Sequence, residues 1–244
     1  MLKLMLLTFI ALGLSITQSI AETKEQLAIA TEHYPPYVMQ QPINGLRGFD
    51  YEVATETFLL LGQSIEVSFF PWKRVLLYAK LGKTVATLTC AYRKDREGFL
   101  LYSDPISEFT SGFYVRKNFD GPQAISFADI KGQRIGSVVG YDSFNELQDV
   151  GLKPIRANNT KAGIGMLIAK RFDYLYLAQQ STDFIIKQMS LTDQLDFYPI
   201  SKKSYHLCFS KNHPGVKPLI DAFNGALIDL KKSGRYQIIH DKYR

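Results

Sequence analysis

Between an apolar segment and a Tyr-Ser-Asp-Pro sequence, the stretch TLTCAYRKDREGFLLYSDPI (residues 87–106) places Arg93, Lys94 and Arg96 close together. A planar guanidinium makes two parallel charge-assisted hydrogen bonds to a carboxylate, which a lysine cannot reproduce. The chemistry on offer is capture of a small anion; the alternative is a loop whose charges only face water. Other chemistries have less to work with. The four histidines, His33, His206, His213 and His240, form no ligand-spaced cluster, so no metal site is expected. No nucleophile–base pair supports hydrolysis, and no cofactor is expected. Trp72, the only tryptophan, could stack on a ligand or prop up a helix from the core. Tyr141, Asp142 and Ser143 fall at an expected helix N-terminus, where free backbone N–H groups favour an anion.

The elements that must position these residues can be read from pattern. LAIAT (residues 27–31) reads as a buried strand ending in the turn EHYPPY. GFDYEVATETFLLLG reads as a helix that Asp50 can cap and Gly62 stops, with Val53, Ala54, Phe58 and Leu61 on its apolar face. SIEVSFF and TVATLT read as strands flanking the short helix WKRVLLYAKLG. This β-α-β-α-β order predicts a mostly parallel sheet, in which ligands bind at the carboxyl ends of strands. Tyr34, Trp72 and the segment from Thr89 to Arg96 all fall at or beyond that edge. The basic cluster is thereby moved to the rim of a pocket.

A second α/β unit follows the Gly121-Pro122 turn. RIGSVV is a strand, and Ser143 with Glu146 three residues on reads as a capping box. KPIRA and FDYLYLA are strands around a helix that Thr160 caps, and STDFIIKQM is a further helix. YHLCFSKN (205–212) echoes GFYVRKN (112–118), as two strands crossing between lobes would, near Phe113–Lys117 and Leu207–Lys211. The final helix carries Leu219, Ile220, Phe223, Leu227 and Leu230 on one face, and must bury that face.

The N-terminus bounds the setting. Lys3, the apolar run Leu4 to Ile16 and the small-x-small signal Ser19-Ile20-Ala21 read as a secretory signal peptide cut after Ala21. No later stretch is long and apolar enough to span a bilayer. The mature chain is expected free in the periplasm, which with the spread of its +6 net charge argues against nucleic acid as a partner. The wide separation and strand-like surroundings of Cys90 and Cys208 favour two buried thiols over a disulfide.

The order of YPPY, GFDYEVA, the approach from Thr89 through Arg96 to YSDPI, GQRIGSVVGYDSF and the final FSKNHPGVKPLIDAFNGALIDLKKSGRYQIIHDKY resembles the family-three solute-binding proteins, receptors of polar amino-acid ABC transporters. The resemblance covers essentially the whole mature chain. It implies an α/β, two-lobed periplasmic-binding-protein fold of type II: two mostly parallel sheets flanked by helices and joined by two crossing hinge strands. Lobe 1 would comprise residues 22–115 plus 211–244, and lobe 2 residues 116–210. A monomer binding a small amino acid or organic carboxylate and serving an inner-membrane ABC permease is implied, without catalysis. The carboxylate-binding arginine matches Arg96, Thr89 matches a hydroxyl sharing that carboxylate, and Tyr34 matches an aromatic wall. Arg93 is left as exposed or as a second anion contact. The family's ammonium-binding acid is replaced by Ala178, with the neutral Gln179 beside it. Either Asp142 supplies the missing countercharge or the ligand is not an ordinary α-amino acid. A cyclohexadienyl-dehydratase-like enzyme and a receptor for a membrane kinase are the alternatives on this fold.

Overall fold

The computed structural model describes residues 26–243; the expected signal peptide lies outside the described residues. The first unit runs β1 (Leu27–Thr31), α1 (Phe49–Leu60), β2 (Ile65–Phe69), α2 (Trp72–Lys80) and β3 (Ala86–Ala91). β1 pairs in parallel with both β2 and β3. Every residue of β3 is buried, as expected of a strand covered on both faces. The second unit runs β5 (Ile135–Val138), α3 (Asp142–Asp149), β6 (Ile155–Ala157), α4 (Thr160–Ile168), β7 (Tyr174–Ala178) and α5 (Gln179–Gln188). There β5 pairs in parallel with β6 and β7.

Two long strands join the units. β4 (Leu100–Arg116) and β8 (Leu195–Ser210) run antiparallel and pair with each other from end to end. β8 also pairs with β3 in the first unit, and β4 with β7 in the second. Among the described residues the two expected sheets are therefore one continuous mixed sheet of eight strands, in the order β2-β1-β3-β8-β4-β7-β5-β6. The last helices, α6 (Val216–Lys232) and α7 (Arg235–Asp241), return to the first unit. There Ile220, Phe223, Leu227 and Leu230 pack with Val53 and Phe58 of α1 in one apolar cluster.

Several local expectations are corrected. Tyr102–Pro105 is not a turn but part of β4, whose pairing with β8 shifts register on either side of Pro105. Proline has no N–H to give the ladder, and the shift absorbs that loss. The N-cap of α1 is Gly48, not Asp50. At φ 105° Gly48 lets the chain pass Tyr37, whose carbonyl oxygen would lie 2.2 Å from any Cβ there. Asn159 rather than Thr160 caps α4, its side chain accepting the Ala162 N–H at 2.8 Å. Ser143 and Glu146 form no capping box, because both are drawn into tertiary bonds. Ser143 meets Ser137 at 3.0 Å, and Glu146 accepts from the Tyr176 hydroxyl at 2.9 Å.

Cys90 and Cys208 are joined in a disulfide, against the expectation of two thiols. Residues 118 apart in sequence become neighbours because β3 lies beside β8, with Thr87 opposite Cys208 and Cys90 opposite His206. The irregularity between those pairs is a bulge, and Thr89 within it adopts φ 60°. A β-branched residue in the left-handed region costs about 1–3 kcal/mol and persists only where its surroundings hold it.

Asp50 supplies that hold. It is fully buried in α1, and its carboxylate accepts the Thr89 hydroxyl at 2.8 Å. Burial raises its pKa from 3.8 to about 7, only partly countered by the Ser107 and Thr89 hydroxyls. An acid whose folded pKa is raised gives stability that is full below its unfolded pKa and lost as pH climbs through the folded value. The ionised form carries a penalty on the order of 4 kcal/mol above pH ~7. Asp50→Asn keeps an acceptor for Thr89 and removes the titration. The melting temperature of the variant relative to wild type should therefore rise steadily between about pH 4 and pH 8. A constant difference in pH-resolved thermal melts would count against a buried, proton-linked Asp50.

Candidate functional site

A cavity of about 50 Å³ lies where the carboxyl ends of β1 and β3 face the start of α3 and the end of β7. From the first unit come Glu32 and Tyr34 after β1, Trp72 at the start of α2, Thr89 in the bulge, and Arg96 in the single 3-10 turn after β3. The second unit contributes Tyr141, Asp142 and Ser143 at the N-terminus of α3 and the methyl of Ala178. Phe109 and Ser111 of β4 and Tyr205 of β8 also line it, with Thr31, Leu88 and Ala91 of the first unit. Seven of the eight residues singled out in the sequence are thus brought together. Gln179 is not: it begins α5 outside the lining, where its carbonyl accepts the Tyr114 hydroxyl at 3.0 Å.

Arg96 is 4% exposed and forms no ion pair with any described residue. Its one hydrogen bond among the described residues is a long one, 3.4 Å to the Ala91 carbonyl, and its guanidinium lies 5.9 Å from the Trp72 ring centre. Burial lowers its pKa, with the charge of Asp142 opposing. A guanidinium taken out of water without a carboxylate carries a desolvation penalty that an incoming anion would offset. Trp72 lines the cavity and also packs against the apolar cluster around the disulfide.

Arg93 is neither exposed nor free. Its side chain is 12% exposed and pairs with Asp95 at 3.0 Å, Asp142 at 3.3 Å and Asp149 at 3.1 Å. The last two belong to α3, so Arg93 ties the loop after β3 to the second unit. Lys203 of β8 adds bonds to Asp142 at 3.0 Å and to Glu146 at 2.7 Å. The Asp142 carboxylate, the one candidate countercharge in the sequence, is therefore already shared between two cations. Thr89 lines the cavity with its hydroxyl proton given to Asp50.

Aromatic rings close the wall. Tyr34 stacks on Tyr37 at 5.6 Å and meets Tyr141 of the other unit edge-on at 5.8 Å. Its hydroxyl is 3.1 Å from that of Tyr205. Sequence reasoning passed over Glu32. Burial raises the pKa of its carboxyl, and the Tyr141 hydroxyl and the Trp72 backbone amide beside it work the other way. The available signal was an acidic residue directly after β1, at the sheet edge where ligands bind.

Comparison with solved structures gives the same architecture. A histidine kinase sensor domain with similarity to periplasmic binding proteins superposes with a TM-score of 0.81 at 20% identity, covering 90% of this chain and 96% of that one. An ancestral arginine-binding protein bound to arginine gives 0.75 at 24% identity, covering 89% and 97%. A substrate-binding protein of an ABC uptake transporter from Streptococcus pneumoniae, with bound histidine, gives 0.77 at 14% identity, covering 89% and 92%. At these identities the likeness is one of fold. No curated protein matches the chain. Among the described residues, no helix is long and apolar enough to cross a membrane. A family model matches residues 27–244, and with that match the chain belongs to the bacterial extracellular solute-binding proteins, family 3.

Proposed function

We propose that the protein is a periplasmic receptor that encloses a small carboxylate-bearing ligand between two lobes and delivers it to an inner-membrane ABC permease. The observation that carries this reading is Arg96, a guanidinium buried in an aromatic-walled cavity and without an ion-pair partner among the described residues. Binding without turnover is the expected behaviour, and export rests on the signal peptide read from residues 1–21. The division expected from the sequence, residues 22–115 with 211–244 and residues 116–210, shifts by several residues in this reading, and the chain acts as a monomer. The strand pairings favour a crossing near Ser107–Ser111 and Ser201–Tyr205, where partners change from β3 to β7. A kinase-linked receptor remains the second reading, favoured by the sensor-domain neighbour. Purified protein is expected to leave prephenate and arogenate unchanged; robust turnover of either would replace the receptor reading with an enzymatic one.

Closure is expected to depend on Arg93, whose ion pairs to Asp142 and Asp149 span the two units. A closed state held by such contacts sets the fraction of molecules competent to hold ligand. Small-angle scattering of Arg93→Ala without ligand should give a larger radius of gyration than wild type. Saturating neutral amino acid should restore it. Identical profiles for the variant and wild type, with and without amino acid, would mean that the two units do not hinge.

A further inference from the structure

The charges inside the cavity bear on the kind of ligand it would take. Among the described residues, three charged side chains line the cavity: Glu32, Arg96 and Asp142. Asp142 is neutralised by Arg93 and Lys203. Arg96 and Glu32 are not; neither forms an ion pair with the other or with another described residue. One unpaired cation and one unpaired anion thus share an enclosure walled by Tyr34, Trp72, Tyr141 and Tyr205. Near Ala178 the second unit offers only a methyl group, so the anionic pole lies on the β1 wall.

Resting on the receptor reading, we propose that Glu32 is the specificity-determining residue that reads the ligand's ammonium, so that Arg96 and Glu32 hold the two poles of a neutral amino acid. A ligand with one carboxylate and one ammonium neutralises both side chains at once. A plain carboxylate satisfies Arg96 but leaves Glu32 unpaired beside a second negative charge, which costs binding energy in a closed site. A diamino acid brings a second cation for which no further free carboxylate lines the cavity, and an acidic amino acid brings a second anion with no free cation. The volume of about 50 Å³ is roughly a third of the ~150 Å³ cavity that accommodates benzene, which favours a small side chain. The Tyr141 hydroxyl beside Glu32 comes from the opposite unit, so closure itself would orient the carboxylate.

The test is calorimetry and thermal shift on the mature protein with neutral L-amino acids, each against its deaminated acid. The pairs are L-alanine with propionate, L-serine with 3-hydroxypropionate and L-leucine with 4-methylpentanoate, and L-arginine and L-glutamate are added as charged probes. At least one neutral amino acid should bind, and bind more tightly than its deaminated partner and than both charged probes. Glu32→Gln should weaken that amino acid about tenfold or more without lowering the melting temperature of the ligand-free protein. Glu32→Asp, which keeps the charge, should recover part of the affinity. A deaminated acid binding as well as its amino acid, tightest binding of L-arginine or L-glutamate, or unchanged affinity in Glu32→Gln would overturn this assignment while leaving the carboxylate receptor standing. If no amino acid and no carboxylate binds at millimolar concentration, the receptor reading falls with it.

Discussion

Replacing Arg96 by methionine is expected to abolish ligand capture while leaving the ligand-free protein as stable as before, or more so. The guanidinium is buried, and among the described residues its only hydrogen bond is the long one to Ala91 and it makes no ion pair. A buried charge without a partner costs several kcal/mol, and an apolar side chain of similar length carries no such cost. Methionine can occupy the space beside Trp72 without strain, being unbranched and adaptable. On the binding side, two charge-assisted hydrogen bonds to a carboxylate are worth roughly 1.5–3 kcal/mol each. Their loss should weaken binding by about a hundredfold or more. Arg96→Lys keeps the charge but not the fork and should fall between the two. Calorimetry with neutral amino acids and thermal melts of the unliganded variants measure both effects. A sharp drop in melting temperature with binding retained would make Arg96 a structural tether of the loop after β3 and remove the anion clamp.

The other large effect expected is on stability. Cys90→Ala with Cys208→Ala should destabilise the protein by about 3–5 kcal/mol, because the bridge closes a loop spanning a sequence separation of 118. In a domain of this size that corresponds to a fall in melting temperature of about 10 °C. The half-cystines sit in an apolar cluster with Ala79 and Leu100, with Trp72 and Tyr102 packed against it. Alanine at both positions therefore also leaves a small void, which acts in the same direction. Denaturant titrations of the double variant, and of wild type with and without reductant, provide the measurement. Equal midpoints in all three would show that the bridge contributes nothing to the folded state.

The strands, the helices and their order were legible because each apolar run has one plausible period and each early helix ends at a glycine. The parallel pairing of β1, β2 and β3 follows from that order almost without choice. What escaped depends on neighbours that local sequence does not name. Cys90 and Cys208 meet only because β8 inserts beside β3, a fact of sheet order and not of spacing. Ser103, Asp104 and Pro105 have the composition of a turn, yet β8 holds them in an extended strand. The Ser143–Glu146 spacing fits a capping box, but Ser137, Tyr176 and Lys203 offer those side chains better partners.

The site shows the same division. Arg96, Tyr34, Trp72, Thr89 and the α3 N-terminus could be placed at one cavity from the sequence because they lie at the carboxyl edge of a parallel sheet, where position alone carries meaning. Glu32 lies at the same edge and was missed because an acidic residue after a strand usually faces water. Asp142 was kept as one of two alternatives for the missing countercharge because nothing in the sequence shows that Arg93 and Lys203 converge on it. Gln179 was included for its nearness in sequence to Ala178, but the start of α5 turns it out of the cavity.

The pairing of β4 with β8 along their whole length has a mechanical consequence. A two-stranded ribbon cannot stretch, since its length is fixed by covalent bonds, and its ladder of hydrogen bonds resists sliding of one strand past the other. Twist and bend are the deformations that cost it least. Displacement of one end of the sheet against the other is thereby funnelled into rotation about a line through the ribbon, with translation suppressed. Occupancy of the cavity would then be encoded as an angle, and any partner resting on both ends of the molecule would read that angle without touching what lies inside.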